Sequence, residues 1–251
     1  MKSIVLLTAL LSFVSVARAT VTETFTHTYP LTADGAIRVE NVNGDIDITA
    51  WEKPEVSLVA EKRAKNDDEL KRVEIIIEAG PDRLAIKTKH IKKTGGWFFS
   101  NWSDNSSVRY KLMVPAGARL EKIDTVNSDI TASGMHGPVK LSTVNGGIED
   151  TGLRGDARLN AVNGSLRAEF ASLENVREIE LDSVNGRAMV TLPKGASARI
   201  ETSTVNGSSH VDQPINLSKS GRRSLSGEIG TGGGPNISLE TVNGSISVRE
   251  K

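Results

Sequence analysis

The tripeptide Val-Asn-Gly, or a close variant, recurs seven times along the chain. The copies are Val42-Asn43-Gly44, Val126-Asn127-Ser128, Val144-Asn145-Gly146, Val162-Asn163-Gly164, Val184-Asn185-Gly186, Val205-Asn206-Gly207 and Val242-Asn243-Gly244. From Asn127 onward the gaps between successive Asn are 18, 18, 22, 21 and 37 residues. A recurring period of this size is the signature of stacked repeats, in which each unit buries its apolar face only against its neighbours. The last gap is about twice the others, which points to one coil there without the motif.

Aligning the copies on Val shows what a unit contains. Three residues earlier stand Val39, Ile123, Leu141, Leu159, Leu181, Thr202 and Leu239. Four residues later stand Ile46, Ile130, Ile148, Leu166, Ala188, Ser209 and Ile246. Six later come Ile48, Ala132, Asp150, Ala168, Val190, Val211 and Val248. A short alternating strand therefore enters, Asn-Gly turns the chain, and a second alternating strand leaves. Asn-Gly is also the strongest local hairpin signal, so a meander or β-sandwich is the alternative. Only a stack requires the Leu, Thr and Asn positions to recur at one phase, because equivalent side chains then repeat at about 4.8 Å per coil.

The expected fold is all-β: a right-handed β-solenoid, β-helix-like, behind an N-terminal antiparallel β region. Asn suits the corners, since it tolerates left-handed angles and its amide can bond to the next coil. Asn43, Asn127, Asn145, Asn163, Asn185, Asn206 and Asn243 are expected to form an interior structural ladder. Strand parity puts the Leu-type residue, the Thr/Ser/Ala position before Val, and Asn on one face, with Val on the other. A row of Val then lies outside the coil. It is covered by other chain, turned inward by the bend, or used for association, self-association included.

Residues 22–114 lack the tight period, and strands are predicted at 22–29, 36–40, 45–50, 55–63, 72–79, 83–90 and 107–114. Asn66 or Asp67 can cap a single helical turn between two of them. The expected division is 1–19 signal peptide, 20–118 N-terminal β region and 119–251 repeat solenoid, with 20–251 as one continuous domain the alternative. Lys2, an apolar run over residues 4–16 and Ala17-Arg18-Ala19 read as a secretory signal cleaved before Thr20. That run is short of the roughly 20 residues a spanning helix needs, so no transmembrane segment remains after cleavage. The chain has no Cys. Export without disulfides favours a bacterial periplasmic or extracellular location. Removing Lys2 and Arg18 leaves 29 basic residues against 31 acidic, which gives no electrostatic case for nucleic acid or anionic lipid.

Longer segments carry a family resemblance. They are "VENVNGDIDITAW" at 39–51, "VPAGARL" at 114–120, "LPKGASA" at 192–198 and "LSGEIGTGGGPNISLETVNGSISV" at 225–248. With these the chain resembles the bacterial putative-adhesin family, also called the toastrack domain, a domain of unknown function. The resemblance implies an exported or membrane-tethered β-solenoid-like domain and brings no catalytic residues with it.

Chemistry is sparse. His27, His90, His136 and His210 stand far apart, with no metal-ligand spacing, so no metal site is expected. Asp45 and Asp47 on one strand face read as solvated, although Ca²⁺ is conceivable chemistry for them. The Gly-rich 230–235 stretch lacks the Lys of a phosphate loop and reads as a turn. No catalytic residue and no cofactor is assigned. The local anomaly is Trp97, Phe98, Phe99 and Trp102: four of the ten aromatics within six residues, in a Gly/Ser/Asn setting. They are either a plug for the open end of the solenoid or an exposed contact for an unknown envelope protein or glycan. The functional expectation is a non-enzymatic binding or scaffold module of the cell envelope, an adhesin. The alternative is a carbohydrate-active enzyme on a β-helix, which a cluster of two or three acids facing one groove would favour.

Overall fold

The computed structural model describes residues 20–91, 106–221 and 223–251. Two sheets enclose one apolar core that runs from Leu31 to Val248. With strands numbered in chain order, the first sheet is β1 (Val21–Pro30), β4 (Glu55–Ala64), β7 (Ser107–Pro115), β3 (Ile46–Trp51), β9 (Ile130–Ser133), β11 (Ile148–Leu153), β13 (Leu166–Phe170), β15 (Ala188–Leu192), β21 (Ile246–Glu250) and β17 (Ser209–Val211). The second is β18 (Ile215–Ser220), β19 (Ser224–Ile229), β16 (Ala198–Asn206), β20 (Asn236–Asn243), β14 (Glu178–Asn185), β12 (Ala157–Asn163), β10 (Val139–Asn145), β8 (Arg119–Thr125), β2 (Ala36–Glu40), β6 (Arg83–His90) and β5 (Val73–Ala79). A one-turn helix, α1 (Asp67–Leu70), is capped by the Asn66 side chain, which accepts from the Glu69 N–H at 2.9 Å.

Each repeat gives one strand to each sheet. β10 and β11 lie in different sheets, so Asn145-Gly146 carries the chain across the core edge and closes no hairpin. Pairing between repeats is parallel and in register. Leu141 meets Leu159, Leu159 meets Leu181, and Leu181 meets Leu239. On the other sheet Ile148 sits between Ile130 and Leu166. Leu-type rows at these positions are fully buried. The fold is therefore the solenoid, and the meander is excluded by the parallel ladders. The N-terminal segment joins the stack: β2 and β3 form a coil against β8 and β9, and β6 and β7 form another beyond it. Antiparallel strands β1, β4 and β5 flank that end.

The doubled last gap has a different cause from a coil without the motif. After β17 the chain returns through β18 and β19, both antiparallel. Gly230 and Gly232 to Gly234, all with left-handed φ between 69° and 88°, then turn it back. β20 enters between β14 and β16, and β21 between β15 and β17. The last repeat in sequence is thus the penultimate coil in space.

The glycines of the motif are required by proximity. A Cβ on Gly164 would lie 1.7 Å from the Gly146 carbonyl oxygen, and one on Gly244 would lie 1.8 Å from that of Gly186. No L side chain other than hydrogen fits there. Beside this column the Asn amides bond in sequence through the stack. Nδ2 of Asn127, Asn145 and Asn163 donates at 2.9 Å to Oδ1 of Asn43, Asn127 and Asn145 respectively. Asn185, Asn243 and Asn206 continue the row at 2.8 to 2.9 Å. This corrects the expectation of an interior ladder: the bend at Val-Asn turns these amides outward, and their bonds are solvent-exposed.

One core rung breaks the apolar pattern. Asp150 is fully buried between Ala132 and Ala168, and neither carboxylate oxygen has a hydrogen-bond partner. Burial pushes its carboxyl up to about 7; the nearby Thr151 N–H pulls the other way without reaching hydrogen-bond geometry.

Two predictions follow from this packing. Exposed amide bonds contribute about 1 kcal/mol or less each, whereas forcing a methyl into the glycine column costs more, about 1–3 kcal/mol. Gly164→Ala should therefore lower the thermal midpoint clearly further than Asn163→Ala; equal losses would show that the column tolerates a wider coil spacing. For Asp150 the folded carboxyl holds its proton up to about 7 and the unfolded one only to 3.8. The unfolded chain binds fewer protons between these values, so stability falls as pH rises through that window and stays reduced above it. Asp150→Ala should be more stable than wild type above pH 7 and lose that component of the pH profile, read from urea midpoints across the range. Parallel profiles for the two proteins would contradict the buried ionisation.

Candidate functional site

On the outward face of the second sheet the Val residues of the motif form a row. Val126, Val144, Val162, Val184, Val242 and Val205 are stacked in that order and are 36% to 55% exposed, so no described residue covers them. Val42, at the N-terminal end of the row, is half-buried. The row is one wall of a shallow groove of about 800 Å³ that crosses six coils.

The residue two before each Val faces the same way and makes the other wall. In register these are Asp124, Ser142, Asn160, Asp182, Glu240 and Ser203. The floor is the buried hydroxyl column between them. Thr143 donates to the Ser128 carbonyl at 3.0 Å, Ser183 to Gly164 at 3.0 Å, Thr241 to Gly186 at 3.2 Å and Thr204 to Gly244 at 3.2 Å. Each hydroxyl thereby ties its strand to the corner carbonyl of the adjoining coil, that of Ser128 in the first case and of a motif glycine in the other three.

Three carboxylates and no Lys or Arg line the groove. Asp182 and Glu240 are direct cross-strand neighbours, and Glu180 precedes Asp182 by one outward position. Arg158 forms an ion pair with Glu180 at the margin. Lys122 lies 3.5 Å from Asp124. The acid row was not singled out from the sequence, although the alignment that yields the Val row contains it two positions upstream.

The other predicted positions are dispersed. Trp97, Phe98, Phe99 and Trp102 lie outside the described residues, between β6 and β7. Their described flank, Ser106, accepts a 3.3 Å hydrogen bond at its carbonyl from Asn43 Nδ2. Asp45 is engaged by Arg109, and Asp47 accepts from Thr131 Oγ1 at 2.8 Å, so neither is an open ligand. Among the described residues no group of three His, Asp or Glu is placed to hold a metal.

The family model described as Toastrack DUF4097 matches residues 13–249. Among solved structures, a "putative cell adhesion protein" of Clostridium sporogenes ATCC 15579 is similar at 14% identity and a TM-score of 0.53, over 92% of this chain and 100% of that one. That likeness is one of fold. A "putative adhesin" of Bacteroides fragilis NCTC 9343 aligns over 90% of this chain and 97% of that one, at 13% identity and a TM-score of 0.42. None of the curated proteins matches.

The groove's electrostatics centre on Asp182. Partial burial, then a hydrogen bond and repulsion from Glu180, then repulsion from Glu240, push its carboxyl up to about 6, against the pull of Arg158. The sign is that of Asp150: stability falls as pH rises from 3.8 to about 6. Solvent screening makes the effect smaller than at the buried site. Asp182→Asn should flatten the profile in that window and leave the fold intact. An unchanged profile would mean that Glu180 and Glu240 do not act on this group.

Proposed function

The chain belongs to the Toastrack family, and on that premise we propose that it is a non-enzymatic binding module of the bacterial cell envelope, exported to the periplasm or cell surface. The observation that carries this reading is the Val row, which no described residue covers, along a groove six coils long. Contiguous apolar surface of this kind is a contact surface in a soluble domain. The rigid stack holds it straight, so a partner meets a preformed face and only its own segment must be ordered. Trp97, Phe98, Phe99 and Trp102 are proposed as a second contact, on their density in the sequence.

A second reading, a carbohydrate-active enzyme on a β-helix, is favoured by one observation. Asp182 beside Glu240 and Glu180, with a carboxyl raised to about 6, has the character of an acid–base pair whose environments separate their roles.

One experiment weighs both readings. Purified protein is incubated with isolated bacterial envelopes, and the bound fraction is measured by sedimentation. Val144→Thr with Val162→Thr keeps shape and removes apolar contact. Binding should fall at least about fivefold, the equivalent of about 1 kcal/mol. The pair Trp97→Ala and Phe98→Ala tests the second contact in the same assay. Undiminished binding by the Val variant removes the groove from the proposal. Release of reducing sugar ends from the envelopes, abolished by Asp182→Asn, would move the assignment to the enzyme.

A further inference from the structure

β1 is the outer strand of the first sheet, and its ten residues pair only with β4 among the described strands. Typical strands have about 5–6 residues, so this is a long free edge. Its burial is unusual as well. From Thr22 to Thr28 every residue is exposed, on both faces. Phe25, His27 and Tyr29 share the face on which Ala60, Leu58 and Val56 of β4 are buried. That is the core face of the sheet, yet Phe25 is 37% exposed. The core face therefore continues onto β1, where the described residues leave it exposed. The three rings lie in a row, with centroids 6.1 Å apart for Phe25 and His27 and 4.5 Å for His27 and Tyr29.

The other edges are defended. β17 has only three residues. β5 carries Glu74 and Glu78, and β18 carries Lys219. Short length and charge are the usual means of blocking edge-to-edge pairing. β1 has one carboxylate, Glu23, already 3.1 Å from Lys62 of β4; its only proline, Pro30, stands at the last position, and Val21 to Tyr29 are otherwise Thr, Val, His27 and aromatic residues.

We infer that β1 is a homodimerisation edge, on which a second copy of this chain adds its own β1 antiparallel about a two-fold axis through Phe25. The sequence V-T-E-T-F-T-H-T-Y is complementary to itself in this register. Phe25 faces the partner's Phe25 on the axis. Glu23 faces the partner's His27, twice by symmetry, so each imidazole N–H finds a carboxylate acceptor. Val21 faces the partner's Tyr29 on the same face. Thr22 and Thr24 face the partner's Thr28 and Thr26 on the opposite face. Aromatic pairs, Thr–Thr pairs and acceptor–donor pairs are the stabilising cross-strand types. Shifting by one residue would set the core face of one copy beside the outer face of the other. Shifting by two opposes Glu23 to Phe25 or to Tyr29, and the paired His is lost. A two-fold pairing closes after one partner, so it uses up the edge and leaves none for further growth. Phe25, His27 and Tyr29 of both copies then line one shared strip between the two solenoids.

The absence of Cys makes the register directly testable. The protein, expressed from its full sequence and purified as the host processes it, is compared with Phe25→Cys, Glu23→Cys and His27→Cys variants. Under mild oxidation Phe25→Cys should cross-link to a covalent dimer. Glu23→Cys and His27→Cys should each stay free of covalent dimer alone and cross-link when mixed. Residues facing across antiparallel strands lie within disulfide reach, whereas a Cys and its symmetry mate four positions out of register do not. In sedimentation, wild type should run at twice the monomer mass and Phe25→Lys as a monomer that still unfolds in one cooperative thermal transition, since two lysines would meet on the axis. Equal cross-linking by all single variants, absence of the Phe25→Cys dimer, or a Phe25→Lys dimer as tight as wild type would each overturn the proposal.

Discussion

Contact between glycine backbones sets the spacing on which the whole molecule depends. The carbonyl of one motif glycine lies where the Cβ of the next would be, at 1.7 to 1.9 Å from that position in four successive contacts, and the Ser128 carbonyl stands 2.0 Å from the Cβ position of Gly146. With hydrogens there, adjacent coils approach to one strand separation, about 4.8 Å, all the way around the corner. The repeat strands of both sheets can then pair in parallel with the residues next to the corner in register, and the shifts in pairing fall away from it, as between Val139 and Leu141 or Thr151 and Leu153. The hydroxyls of Thr143, Ser183, Thr241 and Thr204 fix the same carbonyls from below. The Asn amides fix the corner from outside. Each such bond is worth about 1 kcal/mol net at most, while each buried Leu of the neighbouring row contributes about 1.5–3 kcal/mol. The apolar rows therefore supply the stability, and the polar columns select the register in which those rows meet.

This division explains what could be read in advance. The period and the phase of Leu, Val and Asn follow from local pattern, and strands such as β2 and β6 are recovered to the residue. The outward direction of Val follows from parity. The exposed setting of the Asn amides does not, because the bend after Val interrupts the alternation on which parity relies. The order of the last two coils is equally hidden. Insertion of β20 between β14 and β16 is a long-range choice, and the same motif would pair equally well at the end of the stack. The local trace is Gly230 to Gly234, whose left-handed angles reverse the chain after β19. Such a Gly run reads as a turn without disclosing where the turn leads. The groove was legible only in part. Its Val wall is invariant between repeats and so stands out in the alignment, while its other wall varies from Ser and Asn to Asp and Glu and leaves no periodic signal.

The junction at Ser128 shows how tightly the glycine rule holds. Here the motif has Ser in the glycine position, and the adjoining coil answers with Gly44 at a φ of 109°. Gly44 N–H donates to Ser128 Oγ at 2.6 Å, so the added side chain becomes an acceptor in the place where a contact would otherwise be excluded. Buried Asn41 supports the same corner by donating to the Gly44 and Val108 carbonyls, each at 2.7 Å. The stack thus passes from regular repeats to the N-terminal coils by a local exchange of hydrogen bonds, with no break in either sheet.

In a fold of this kind any position kept by every repeat becomes a row, and a row is explained by stacking before it is explained by function. Information beyond architecture lies where repeats depart from one another. At the core position occupied by Ala132 and Ala168, Asp150 stands alone, and its desolvation lowers stability at neutral pH with no bond to offset it. At the outward position two before Val, Ser142 and Asn160 give way to Asp182 and Glu240, which repel each other across one strand spacing. A cross-strand pair of like charges weakens a sheet. Stacking alone would place Ser or Asn there, as it does in the coils on either side. The carboxylate pair is therefore the feature of the groove that architecture leaves unexplained, set beside an apolar row that architecture does explain.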